Sequence, residues 1–154
     1  LSDPGGLNAE PVDLGAALEQ SLASFYTVLT EKGIEPEITM PSGQVVRRLD
    51  RAALSRVFSN LLSNAAKYSD GDLRVELTPG GKVKFSNRCR ALTGVEVGKL
   101  FDRFYTVEAA RKSTGLGLSI ARALCERMGG ELVAEYIDGS LVMTADFSEA
   151  GTGQ

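Results

Sequence analysis

Histidine is missing altogether from these 154 residues. That gap removes several chemistries at once: the chain can build no Ser-His-Asp or Cys-His triad, no imidazole metal site and no phosphohistidine. Cysteine occurs only at Cys89 and Cys125. Thiols so far apart make neither a metal clip nor a disulfide framework, and they read as buried free thiols in a reducing cytoplasm. No apolar run approaches the roughly 20 residues that a membrane-spanning helix needs. A formal charge of -3 offers no basic field for nucleic acid or anionic lipid. The opening "LSDPGG" has neither methionine nor a signal peptide, as expected of a piece excised from a longer protein.

What is present describes a globular domain. Hydrophobic residues make up 43% and charged residues 24%, and the length suits one core. Residues 1–10 read as a loose leader, 11–148 as the folded domain and 149–154 as a tail. Asp13 caps a helix expected to run to Gly33, with Leu14, Leu18, Leu22, Phe25 and Leu29 on one face. "IEPEITMP" and "VVRRL" are strand candidates. Asp50 caps a second helix to about Lys67, ended by "SDGD". "LRVELT" and "KVKFS" form a hairpin across "PGG". A third helix, "LGLSIARALCERM", stops at Gly129-Gly130. The chain ends in a hairpin of "ELVAEYI" and "SLVMTADF" joined by "DG". Three helices and about six strands predict an α+β sandwich, with the helices on one face of a mixed, mostly antiparallel sheet. Residues 88–114 carry weak regular signals and read as a lid, with "VEVGKLFDRFY" as a possible short helix inside it.

Two segments stand out chemically. In "NLLSNAAKY" (60–68), Asn60, Asn64 and Lys67 share one edge of the stripe formed by Leu54, Val57, Phe58, Leu61 and Ala65, and Tyr68 lies between edge and stripe. Asparagine is a poor helix former. The amides either hydrogen-bond a neighbouring loop or face a hydrated Mg²⁺, a hard cation that takes oxygen ligands. In "STGLGLSIARAL", Gly115 and Gly117 stand at a helix entry, where unpaired N–H groups and the helix dipole favour an anion. The pattern is neither a dinucleotide fingerprint nor a P-loop.

Together these segments resemble the catalytic, ATP-binding domain of sensor histidine kinases, within the wider group of gyrase, the Hsp90 chaperones and MutL. "NLLSNAAKY" is similar to the N box, "LFDRFY" (100–105) to the F box and "TGLGLSIA" (114–121) to the G2 box. The resemblance spans roughly residues 10–147 and implies a Bergerat-type two-layer sandwich binding ATP and Mg²⁺. It implies Asn64 as the Mg²⁺ ligand, Asn60 close by, Lys67 near phosphate and Tyr68 near the nucleotide. Arg111, Thr114, Gly115, Leu116, Gly117 and Leu118 would complete the phosphate and lid contacts. Phe101, Phe104 and Tyr105 would anchor the lid or dock a partner domain.

The first glycine box departs from the family's D-x-G-x-G, with Asn87 at the aspartate position and Cys89 and Ala91 at the glycines. A free amide at Asn87 can turn either edge to a base, so modest ATP affinity and discrimination against GTP weaker than the family's aspartate would give are expected. Asn60 stands where ATP-hydrolysing relatives carry a glutamate that activates water, and an amide cannot act as that base. The resemblance therefore implies transfer to a histidine on a dimerisation domain elsewhere in the full-length kinase, with a response regulator downstream. It also implies a monomeric fragment of a homodimeric, membrane-anchored protein, with this domain in the cytoplasm. A docking module with weak nucleotide binding, or an anti-sigma-type serine kinase, are the alternatives.

Overall fold

A computed structural model describes residues 7–90 and 116–150 of the chain. Both capping aspartates begin helices as expected. Asp13 Oδ1 accepts from the Gly15 N–H at 3.0 Å at the head of α1 (Leu14–Ser24). Asp50 Oδ1 accepts from the Ala53 N–H at 3.0 Å at the head of α3 (Arg51–Tyr68). Each satisfies a backbone donor that a helix start leaves without an internal partner.

The first helix departs from its expected single run. It divides at Phe25 into α1 and α2 (Tyr26–Glu31), so the described residues hold four helices rather than three. Phe25 sits at φ -97° and ψ 3°, with its N–H still bonded to Ser21 and Leu22 carbonyls at 3.1 Å. The break is therefore a kink. Tyr26, Thr27 and Val28 are aromatic or β-branched, and weak helix propensity lets packing decide the path there. α4 (Leu116–Arg127) is the fourth helix.

Seven strands lie among the described residues: β1 (Ala9–Asp13), β2 (Glu37–Thr39), β3 (Val46–Asp50), β4 (Arg74–Leu77), β5 (Lys82–Arg88), β6 (Glu131–Ile137) and β7 (Ser140–Asp146). β1 corrects the reading of residues 1–10 as a loose leader: Ala9 and Glu10 pair with Asp50 and Leu49 of β3. With only Val12 of β1 fully buried, the segment carried no alternation to betray it. The main sheet runs β2-β4-β5-β7-β6, parallel only between β2 and β4. The last hairpin turns through Asp138 and Gly139 at φ 50° and 81°, the two-residue turn that matches strand twist.

Alternation along β4, β5 and β7 sends Val75, Leu77, Val83, Phe85, Leu141, Met143 and Ala145 to one buried face. α3 lies over it, with the Phe58 and Phe85 ring centroids 6.0 Å apart. α1 and α4 pack against α3. The opposite face carries the exposed Arg74, Glu76, Lys82 and Lys84. At Gly130 a Cβ would lie 2.7 Å from both the Asp146 carbonyl oxygen and the Phe147 ring, so only glycine lets α4 return to β6 there.

Asp50 does two jobs, since its Oδ2 also accepts from the Asn8 N–H at 2.9 Å and ties the chain before β1 to the α3 cap. Those backbone donors hold its carboxyl below the ordinary carboxylate range. A lowered carboxylate pKa means the unfolded chain binds the proton more readily. The stabilisation is therefore full at neutral pH and is lost as pH falls through the lowered value. Asp50→Ala is expected to cost about 1–2 kcal/mol at pH 7, and the gap from the unaltered chain should shrink towards pH 3. Urea melts at both pH values measure this; a gap that does not change with pH would show that the charge of Asp50 is irrelevant.

Candidate nucleotide site

Three buried polar residues lie among the described residues: Ser21, Asn64 and Asn87. The two asparagines belong to facing elements, α3 and β5. Asn64, 8% exposed, donates from Nδ2 to the Met143 sulfur of β7 at 3.9 Å. A thioether is a weak acceptor, and the amide has no other partner among the described residues. Met143 pairs in register with Phe85 of β5, and Asn87 is the next residue on the same face, about 7 Å further along the strand. Asn87 is 2% exposed and donates from Nδ2 to the Arg88 carbonyl at 3.1 Å.

Burying an amide without full hydrogen bonding costs roughly 1–3 kcal/mol. One such residue in an apolar interior is a packing compromise. Two of them, on the contacting elements α3 and β5, mark a candidate polar site.

Asn60 is half-buried, Lys67 exposed, and Tyr68 buried. The Lys67 ammonium lies 5.9 Å from the Tyr68 ring centroid, within cation–π range. Asn60, Asn64, Lys67 and Tyr68 all lie on α3, and Asn87 lies on β5, which α3 contacts. α4 begins at Leu116, and Leu118 is buried. The first turn of a helix leaves N–H groups without an internal partner, and the residues that lead into Leu116 lie outside the described ones. Arg111, Thr114, Gly115 and the aromatic residues Phe101, Phe104 and Tyr105 lie outside the described residues, as does Ala91.

Both cysteines are buried, and neither is in a disulfide. Burial pushes the Cys125 thiol up to about 12, which keeps it neutral.

Several contributors went unread in the sequence. Met143 was not singled out. Asp70 and Asp72, in the "SDGD" taken only as a helix stop, bind the end of β5: Asp72 Oδ1 accepts from the Arg88 N–H at 2.8 Å, and Asp70 Oδ2 from the Arg90 N–H at 2.9 Å. Two aspartates flanking a glycine after a helix were the available signal, since such side chains cap nearby backbone.

Comparison with known proteins identifies the family. Residues 49–152 match the family model described as histidine kinase-, DNA gyrase B- and HSP90-like ATPase. The chain is 32% identical to the sensor protein VanSC of Enterococcus gallinarum over 88% of its own length and 40% of that relative. It is 29% identical to the signal transduction histidine-protein kinase BaeS of Escherichia coli K12, again over 88% of this chain but 31% of the relative. The chain thus spans well under half the length of these curated relatives. Among solved structures, the mycobacterial sensor histidine kinase MprB superposes with a TM-score of 0.76 at 26% identity, covering 90% of this chain and 95% of that one. The catalytic domain of histidine kinase ThkA superposes at 0.80, with 20% identity and coverage of 90% and 96%. With its helices on a mixed sheet and a family match over more than half its residues, this chain belongs to the histidine kinase-, DNA gyrase B- and HSP90-like ATPases.

Proposed function

We propose that this chain is the catalytic domain of a sensor histidine kinase, binding Mg·ATP and passing its γ-phosphoryl group to a histidine on a dimerisation domain of the same full-length protein. The observation that carries the reading is the pair of buried, under-bonded amides, Asn64 and Asn87, on facing elements. Its support in kind comes from relatives named as sensor kinases.

The donor set suits Mg²⁺. A cation that keeps most of its waters and leans on phosphate oxygens needs one or two hard protein oxygens, and the Asn64 amide oxygen is one. When bound, the ion supplies charge neutralisation to the phosphates. The chain's own residues do the rest. Asn64, with Asn60 close by, would hold the hydrated cation, and Lys67 would add positive charge towards the phosphates. Backbone N–H groups at the start of α4 cradle phosphate oxygens, and Tyr68 and Asn87 border the base. By the family resemblance, Arg111, Thr114 and Gly115 would add to the phosphate contacts. Asn60 cannot take a proton from water, so water is a poor acceptor and the phosphoryl group waits for a better nucleophile. In the full-length protein the domain works beside a membrane anchor, on the cytoplasmic side, within a homodimer that serves a response regulator.

Radiolabelled ATP tests the assignment. The chain alone should bind Mg·ATP in a calorimetric titration yet stay unlabelled, because it has no histidine. Adding the histidine-bearing dimerisation domain should produce an acid-labile phosphoprotein on that partner. Label on this chain would overturn the acceptor assignment, and failure to bind ATP would make the domain a docking module instead.

A further inference from the structure

One carbonyl joins the two halves of the nucleotide site. The Arg88 oxygen, at the end of β5, accepts from the Asp70 backbone N–H at 2.9 Å and from Asn87 Nδ2 at 3.1 Å. A carbonyl oxygen only accepts, so the Asn87 amide must turn its NH₂ towards it. That leaves Oδ1 as the polar atom of Asn87 with no partner among the described residues.

The rest of this strand end is held just as fully. Asp72 Oδ1 takes the Arg88 N–H, and Asp70 Oδ2 takes both the Arg90 N–H at 2.9 Å and its Nε at 3.3 Å. The Cys89 N–H donates to the Gly139 carbonyl at 3.0 Å, and the Cys89 carbonyl accepts from the Tyr136 hydroxyl at 3.1 Å. The turn that supplies both carboxylates is fixed to α3 in its turn. The Ser69 N–H donates to Ala65 at 2.9 Å, and Ser69 Oγ accepts from the Gly71 and Asp72 N–H groups, each at 2.9 Å. The helix that carries Asn64 and the strand that carries Asn87 are therefore locked together through the turn at residues 69–72 that follows α3.

We propose that Asp70 and Asp72 are positioning residues that hold the Asn87 amide with its oxygen towards the base, which makes the site selective for a purine bearing a 6-amino group. This rests on the ATP-binding reading above. A 6-amino group donates to Oδ1. A 6-oxo group would set oxygen against oxygen, and turning the amide over to suit it would put Oδ1 against the Arg88 carbonyl. The clamp thus gives a neutral amide a discrimination that a free amide lacks. It runs against the expectation from the sequence that discrimination would be weaker than the family's aspartate gives.

The test is a competition between ATP and ITP, which differ at the 6-position and its neighbouring ring proton, on the unaltered chain and on Asp72→Ala. Inorganic tripolyphosphate serves as the base-free probe. The unaltered chain should prefer ATP, and Asp72→Ala should lose roughly fivefold of that preference while binding tripolyphosphate equally. In nucleotide-free protein, the Asn87 side-chain NH₂ should exchange slowly with solvent and speed up in Asp72→Ala. An unchanged ATP/ITP ratio in the folded variant would overturn the proposal. Should Asp72→Ala not fold, exchange in the unaltered chain decides: an unprotected Asn87 NH₂ sinks the clamp. A chain that binds no ATP refutes the kinase reading instead, and leaves the exchange result standing on its own.

Discussion

Asn64→Ala is expected to weaken Mg²⁺-dependent ATP binding about thirtyfold or more, within the 10–100-fold range for disturbed metal sites. Ser63→Ala, one residue away on the exposed outer face of α3, should change it less than twofold. Stability separates function from packing here. Asn64 is buried and spends its NH₂ on a sulfur 3.9 Å away. Removing a poorly satisfied buried amide relieves a desolvation cost that offsets the small cavity left behind. Asn64→Ala should therefore fold at least as stably as the unaltered chain while losing its ligand. Calorimetry with and without Mg²⁺, alongside urea melts, makes both readings. A variant that is clearly destabilised yet keeps Mg²⁺-dependent binding would assign Asn64 to the core rather than to the site.

The α3 face was legible because its cause is local. Leu54, Val57, Phe58, Leu61 and Ala65 repeat at helical spacing, Asp50 caps the start, and no glycine or proline interrupts the run. The edge carrying Asn60, Asn64 and Lys67 follows from that rotation alone. The "DG" hairpin was readable for the same reason, since only certain residues accept positive φ. What escaped depends on tertiary pairing. β1 is short, contains Pro11 and exposes three of its five residues, so its strand character comes from β3 and not from its own pattern. The break at Phe25 depends on how α2 packs. Asp70 and Asp72 looked like loop residues because their partners, Arg88 and Arg90, are 16 and 20 positions away in sequence. The state of Asn87 could not be read at all. The residue type says that an amide is present; only the neighbouring carbonyl says which of its two ends is already taken.

Asn87→Leu should therefore cost at least about tenfold in ATP affinity, since a site built to satisfy a base's donor rejects one left unpaired. Tripolyphosphate binding should not change, because the substitution touches no phosphate contact. Asn87→Asp is the more searching variant. It keeps an acceptor for the 6-amino group, and a charged one. Its second oxygen, however, replaces the nitrogen that now lies 3.1 Å from the Arg88 carbonyl. A hydrogen bond becomes a close approach of two acceptors, in a place where the Asp70 N–H and the β5 pairing leave the carbonyl little room to move. Asn87→Asp is thus expected to lose roughly 1–3 kcal/mol of stability and to gain nothing in its preference for ATP over ITP. The pair of measurements is a urea melt and the same nucleotide competition. If the aspartate variant proves as stable as the original and more selective, the Asn87 amide is not held by Arg88, and the surroundings of β5 suit a carboxylate after all.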